Sequence, residues 1–311
     1  MPFGVSFVTM APRVLVLDLR GRRSIGRFLM ATTRRAAKAK SGKSTRLVVR
    51  TFAEHVVPAA RLEAAPTPIL RKSADALSTN EQDTFKNAIR SAIADGIYSV
   101  LVRIHGNMSH DMHTMPGMPA GTLRFLPWHR LYLINFEQAM QQFQPTFFVP
   151  YWRWMDQTSI PKWMVNFKPT GVTDANGTPI RVRRDPGHAP RPIDRKLPTS
   201  QTIQTTVMSA THYRTFTLAL EGANPYGAHN LVHMWVNGTM SNVPIAPADP
   251  LFWMHHAEID RLWWIWQQSH PGQNPNLSGA DAVLDPWPEQ VSDVLRIDTG
   301  SHPYSYDRAQ L

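Results

Sequence analysis

Cysteine is absent from the 311 residues. That excludes disulfides, thiolate metal sites, iron–sulfur clusters and a cysteine nucleophile. It leaves the redox compartment open, because a chain without thiols is indifferent to it. Also missing is any run of about 18 apolar residues, so the sequence offers no membrane span. Acidic residues are scarce at one end only. Twelve of the 33 Lys and Arg but a single acid, Asp18, lie in the first fifty positions, a sum of +11 that leaves the remainder at −1. The net charge of +10 therefore belongs to a leader, and a near-neutral body argues against nucleic acid as a partner.

The leader, residues 1–45, holds Arg22-Arg23 and a basic run from Arg34 to Lys43. Ser24-Ile25-Gly26-Arg27 interrupts the apolar stretch that a twin-arginine export signal needs. An Arg-rich transit peptide fits the composition. A solvated tail, or a true start at Met30, is the preferred reading. The lack of a convincing export signal favours the cytoplasm, with the compartment otherwise open.

What the chain has in quantity is histidine, thirteen residues, with 14 Met and 10 Trp. Without thiols, a metal would be held by imidazole. From Arg46 the pattern is globular. Ser78-Thr79-Asn80-Glu81 predicts a capping box opening a helix, and Phe85, Ile89, Ala92 and Ile93 follow at helical spacing. Residues 106–127 read as a loop, 128–143, 227–237 and 249–268 as helices, and 156–210 as long loops with short strands. The tail from 271 reads as loop. The expected fold class is mainly α, a four-helix bundle with long loops and short peripheral strands.

His229 and His233 in HNLVH lie four apart, which on a helix places both rings on one face. His255, His256 and Asp260 lie in LFWMHHAEIDRLWWIW, a segment apolar nearly all round and therefore buried. Adjacent residues point about 100° apart on a helix, so only one of the two histidines is expected to join His229 and His233. Asp260 could fix a ring or pair with an arginine. His105 and His129 flank a stretch with His110 and His113. Two trios of imidazoles on four helices suggest a binuclear metal centre in a bundle. The absence of helical carboxylate pairs disfavours di-iron.

FLPWHR, HNLVH and DPLFWMHHAEIDRLW together resemble the copper-binding signatures of tyrosinases, catechol oxidases and haemocyanins, the type-3 copper proteins. PYWRW resembles the family's PYWDW, with Arg153 in place of Asp. Tyr304-Ser305-Tyr306 looks like the family's YxY motif, whose arginine partner would be Arg46 or Arg50. The resemblance spans residues 46–306, followed by a short tail 307–311, and no C-terminal lid domain follows the motif. It implies one copper ion on His105, His129 and a histidine between them, and a second on His229, His233 and His256, with His255 a non-ligating neighbour. It implies that Glu221 and Asn230 hold a water that helps deprotonate phenols, and that Val243 gates access. O2 would be co-substrate and small phenols the partners; the need for a separate copper-delivery chaperone stays open.

One departure concerns the first copper. The family's second ligand usually lies nine residues before the PWHR histidine, where Ala120 stands here. His113 is preferred over His110, which follows His105 too closely to reach the same ion without a tight turn. The thioether that some relatives form at this histidine cannot exist here. The resemblance implies ortho-hydroxylation of monophenols and oxidation of o-diphenols to o-quinones. The alternatives are a catechol oxidase acting on diphenols only, an oxygen carrier, and a zinc protein.

Overall fold

A computed structural model of the chain describes residues 68–118, 120–222 and 227–311. These fall within one unit, Leu62–Leu311. The leader, the expected boundary at residue 46, and Arg46 and Arg50 lie outside the described residues.

The architecture is helical. Strand β1 (Ile69–Arg71) is followed by α1 (Thr79–Asp95), α2 (Ile97–Gly106), α3 (Gly121–Gln141), α4 (Ser200–Thr202, running on as a π-helical turn to Met208), α5 (Tyr213–Glu221), α6 (Ala228–Val236) and α7 (Leu251–Ser269). Strand β2 (Tyr304–Tyr306) closes the chain against β1, in parallel, with Ile69 opposite Tyr304 and Arg71 opposite Tyr306. Among the described residues, the expected strands within 156–210 are absent; that stretch holds turns, 3₁₀ segments, α4 with its π-helical turn, and one isolated bridge, Thr173 to Pro179.

Local chemistry explains the helix limits. Ser78 and Glu81 form the expected capping box, with the Glu81 amide donating to Ser78 Oγ at 3.3 Å and the Ser78 amide donating back to Glu81 Oε2 at 2.9 Å. Gly96 ends α1 at φ +95°, a left-handed conformation that suits glycine. Helix α3 begins at Gly121, seven residues earlier than the pattern predicts, so Pro127 is inside it. Proline has no N–H to give the Leu123 carbonyl one turn back. The Tyr213 hydroxyl from α5 donates to that carbonyl instead, at 2.9 Å. The sequence places Pro127 at the end of the expected loop 106–127, because the hydroxyl that makes it tolerable comes from a distant helix.

Helices α2, α3, α6 and α7 surround the core. Every residue of α7 from Leu251 to Trp263 is buried. Its Glu258 and Arg261 are neutralised by pairing at 2.7 Å. Asp249 accepts from the Leu251 amide at 2.9 Å, capping the start of α7, and pairs with Arg184 at 2.7 Å.

Asp260 takes the arginine alternative, not the histidine one. It pairs with Arg130 at 2.5 Å and Arg71 at 3.4 Å, and accepts from the hydroxyls of Tyr304 and Tyr306, both at 2.6 Å. Arg71 lies 3.6 Å from the centre of the Tyr304 ring and is held on its other side by Glu137 at 2.9 Å. The arginine partner of the YxY motif is therefore Arg71, which corrects the expectation of Arg46 or Arg50. The β1–β2 register sets Arg71 beside Tyr306, whereas the sequence alone offers several arginines.

Candidate metal centre

His105 occupies the last turn of α2 and is buried. His129 lies in the middle of α3, not at its start. His113 reaches them from the loop between these helices. That loop turns at Asp111, whose φ is +49°, and then crosses the start of α3 so closely that a Cβ on Gly121 would lie 1.9 Å from the His113 carbonyl. Glycine at 121 is what lets His113 fold back. His105, His113 and His129 each present one ring nitrogen within 4.8 Å of the others. His110 is not among them; its ring lies against Trp128, 6.3 Å between centres.

His229 and His233 stand one turn apart on α6, with ring centres 4.5 Å apart. His256 on α7 brings its Nε2 within 3.2 Å of His229 Nε2. His256 also stacks on His129 at 4.3 Å and 14°, so it lies where the two groups meet. His255 departs from the angular argument. It joins the group of His229, His233 and His256 within the same 4.8 Å, stacked on His229 at 5.2 Å. Its other ring neighbour outside the histidines is Trp154. The 100° between consecutive residues turned it from the junction with the first trio but not away from His229 and His233.

Hydrogen bonds set the ring tautomers. His129 donates from Nδ1 to the Phe125 carbonyl at 2.8 Å, and its Nε2 has no partner among the described residues. His233 donates from Nδ1 to the Met240 carbonyl at 2.7 Å. His229 Nδ1 faces Asn230 Oδ1 at 2.9 Å, and His113 Nδ1 faces Glu221 Oε1 at 3.2 Å. In each case the outer nitrogen is engaged and Nε2 is left to the interior, the arrangement a metal-ligating imidazole requires. Burial pushes the imidazolium forms of His105, His129, His229, His255 and His256 well below their usual range, aided by neighbouring histidines. Burial likewise lowers His233 to about 4. These six rings are neutral at pH 7, and ring nitrogens converge, with His105 Nε2 and His113 Nε2 3.3 Å apart. A cation answers that convergence. All-nitrogen groups suit copper, and the first trio is one ligand short of the four that a structural zinc site uses.

Phe252 packs against His105 at 4.9 Å and His256 at 4.1 Å, while Phe125 packs against His129 and His229. These rings keep the interior apolar. Val243 begins the 3₁₀ segment Val243–Ala248 between α6 and α7, is 44% exposed, and its backbone carbonyl faces His105. Glu221 ends α5 and accepts from His113, from the Thr114 amide at 2.8 Å and from the Thr114 hydroxyl at 2.5 Å. Asn230 lies against Gly222, where a Cβ would fall 2.0 Å from its Nδ2. Thr114, Gly121 and Gly222 were not singled out from sequence. Each acts through proximity across a loop, and only adjacency to His113 or Glu221 could have flagged them.

The described fold and its paired histidine trios define a type-3 copper architecture. A family model described as the common central domain of tyrosinase matches residues 95–186 and 161–269. A tyrosinase of Streptomyces galbus is 30% identical over 76% of this chain and 98% of its own length. Among solved structures, a functional unit of octopus haemocyanin superposes with a TM-score of 0.60 at 21% identity, covering 78% of this chain and 69% of that one. A polyphenol oxidase of Thermothelomyces thermophila gives 0.53 at 19% identity, over 78% and 89%. The chain belongs to the tyrosinase family of type-3 copper proteins. Within it, the matches support a copper oxidoreductase of the tyrosinase family. Among the described residues, no helix is long and apolar enough to cross a membrane.

Proposed function

We propose that the chain hydroxylates monophenols ortho to the hydroxyl and oxidises o-diphenols to o-quinones, with O2 as co-substrate. His105, His113 and His129 would hold one copper ion, and His229, His233 and His256 the other. A copper pair bound there supplies the two-electron redox chemistry that O2 and a phenol need. The carrying observation is the convergence of two imidazole trios across the His129–His256 stack.

The chain's own groups handle substrate and proton. His233 is the only member of its group that is not fully buried, so its ring face is the surface on which a phenol can lie. A free phenol of the tyrosine type holds its proton up to a pKa of about 10, so hydroxylation needs an acceptor. A carboxylate offers about four acceptor positions. His113 and the two Thr114 donors use three of those on Glu221, and the fourth can take a water. The Asn230 amide, seated against Gly222 beside Glu221, supplies N–H donors to hold that water. Valine at 243 leaves room at the entrance.

The test is turnover of tyramine and of catechol by the copper-loaded protein, with a trace of diphenol added to remove any lag. Both should be consumed, and Val243→Phe should impair tyramine more than catechol. Oxidation of catechol with no tyramine turnover would assign the diphenol-only activity. Zinc in place of copper on elemental analysis would sink the reading.

A further inference from the structure

The loop that carries His113 is rich in thioethers: Met108, Met112, Met115 and Met118. Two of these are core residues. Met112 is fully buried and Met108 packs against the apolar cluster. The other two are not. Met115 is 40% exposed and Met118 partly exposed.

Met115-Pro116-Gly117-Met118 forms a tight turn. The Met118 amide donates to the Met115 carbonyl at 3.2 Å, and Gly117 has φ +81°. Proline followed by a left-handed glycine is the signature of a type II turn. The two methionines are bridged in antiparallel fashion. Residues so paired stand on one face with Cβ atoms about 4.5–5.5 Å apart. The turn therefore presents two thioethers side by side at the surface. Thr114 to Met118 carries no charged side chain that would repel a cation.

Position gives the pair its meaning. Met115 follows His113 by two residues, at most about 7 Å of chain. Thioethers are soft ligands that select Cu(I) and have little affinity for harder divalent ions. We propose that Met115 and Met118 form a surface site for Cu(I), from which the ion passes to His113. The proposal rests on the reading that His113 belongs to a copper-holding trio. It also assigns a use to exposed apolar side chains that contribute nothing to the core.

The site can be probed with Ag(I), a redox-inert stand-in for Cu(I), on the copper-loaded protein labelled with ¹³C at the methionine methyls. One equivalent should shift the Met115 and Met118 methyls together, and Met115→Leu or Met118→Leu should abolish the shift of the remaining partner. Leucine conserves volume, so the turn is retained. The full chain, stripped of copper with a chelator, should reload with Cu(I) slower by about tenfold or more in the double Leu variant, because a tethered ion presents itself at an effective concentration near millimolar. Final copper content and the rate of loading with Cu(II) should be unchanged. Methyls that do not move, or equal Cu(I) loading rates, would overturn the proposal. A wild-type chain that takes up no copper while its methyls still respond to Ag(I) would instead overturn the reading of the histidine trios.

Discussion

Glu137→Gln is the perturbation whose outcome the structure defines most closely. Glu137 is fully buried and meets Arg71 through two contacts, Oε1 at 3.2 Å from Nε and Oε2 at 2.9 Å from Nη2. It also accepts from the Val149 amide at 2.7 Å and faces His302 Nε2 at 3.0 Å. Glutamine keeps the shape but removes the charge. Removing one partner of a buried pair costs about 3–5 kcal/mol. The lower end applies, since Asp260 remains within 3.4 Å of Arg71. A second route reaches the same figure. Burial alone would raise the carboxyl, yet Arg71 and His302 overcome it and hold Glu137 down from 4.5 to about 2, worth about 3 kcal/mol at neutral pH. The folded state releases this proton more readily than the unfolded chain. The contribution is therefore complete above pH 4.5 and is lost as pH falls through about 2. Urea unfolding of the copper-loaded wild type and variant should differ by about 3 kcal/mol at pH 7, with most of the gap closed by about pH 3. The thermal midpoint should drop by roughly 6–12 °C at neutral pH. A gap below about 1 kcal/mol, or one that does not change with pH, would refute the assignment of Arg71 and Glu137 as a stabilising pair.

Three further outcomes follow from the histidine geometry. His113→Ala should lower copper from two ions per chain to about one and end turnover, whereas His110→Ala, on the ring stacked against Trp128, should keep both by elemental analysis. His256→Ala should lose the second ion and His255→Ala should retain it, because only His256 stacks across to His129; equal losses would show that His255 also ligates. Gly222→Ala puts a methyl 2.0 Å from Asn230 Nδ2, so it should depress tyramine hydroxylation at least about tenfold more than catechol oxidation, if the Asn230 amide holds the proton-accepting water; parallel losses would detach Asn230 from that step.

The helices carrying paired signals were legible. His229 and His233 share a face because their spacing is close to one helical turn, and the apolar surround of His255 and His256 announced burial. Ser78 to Glu81 announced its own cap. What escaped were contacts between segments. Helix α5 was not seen, since Tyr213–Glu221 is short and lies between stretches rich in turn formers. The start of α3 was misplaced because Pro127 is tolerated only through a hydroxyl 86 residues later in the chain, at Tyr213. Arg71 could not be chosen over Arg46 or Arg50 without the strand register. His255 shows the limit of angular reasoning: consecutive side chains diverge, but two helices in contact can still gather both.

The pairing of β1 with β2 also sets an order of events during synthesis. Arg71 is 235 residues ahead of its partner Tyr306. At roughly 5–20 residues per second, the ribosome needs roughly 10–50 s to deliver the second half of that clasp. All seven histidines of the two groups emerge within this interval, between residues 105 and 256. The nascent chain thus holds both histidine groups before the clasp between Arg71 and Tyr306 can form.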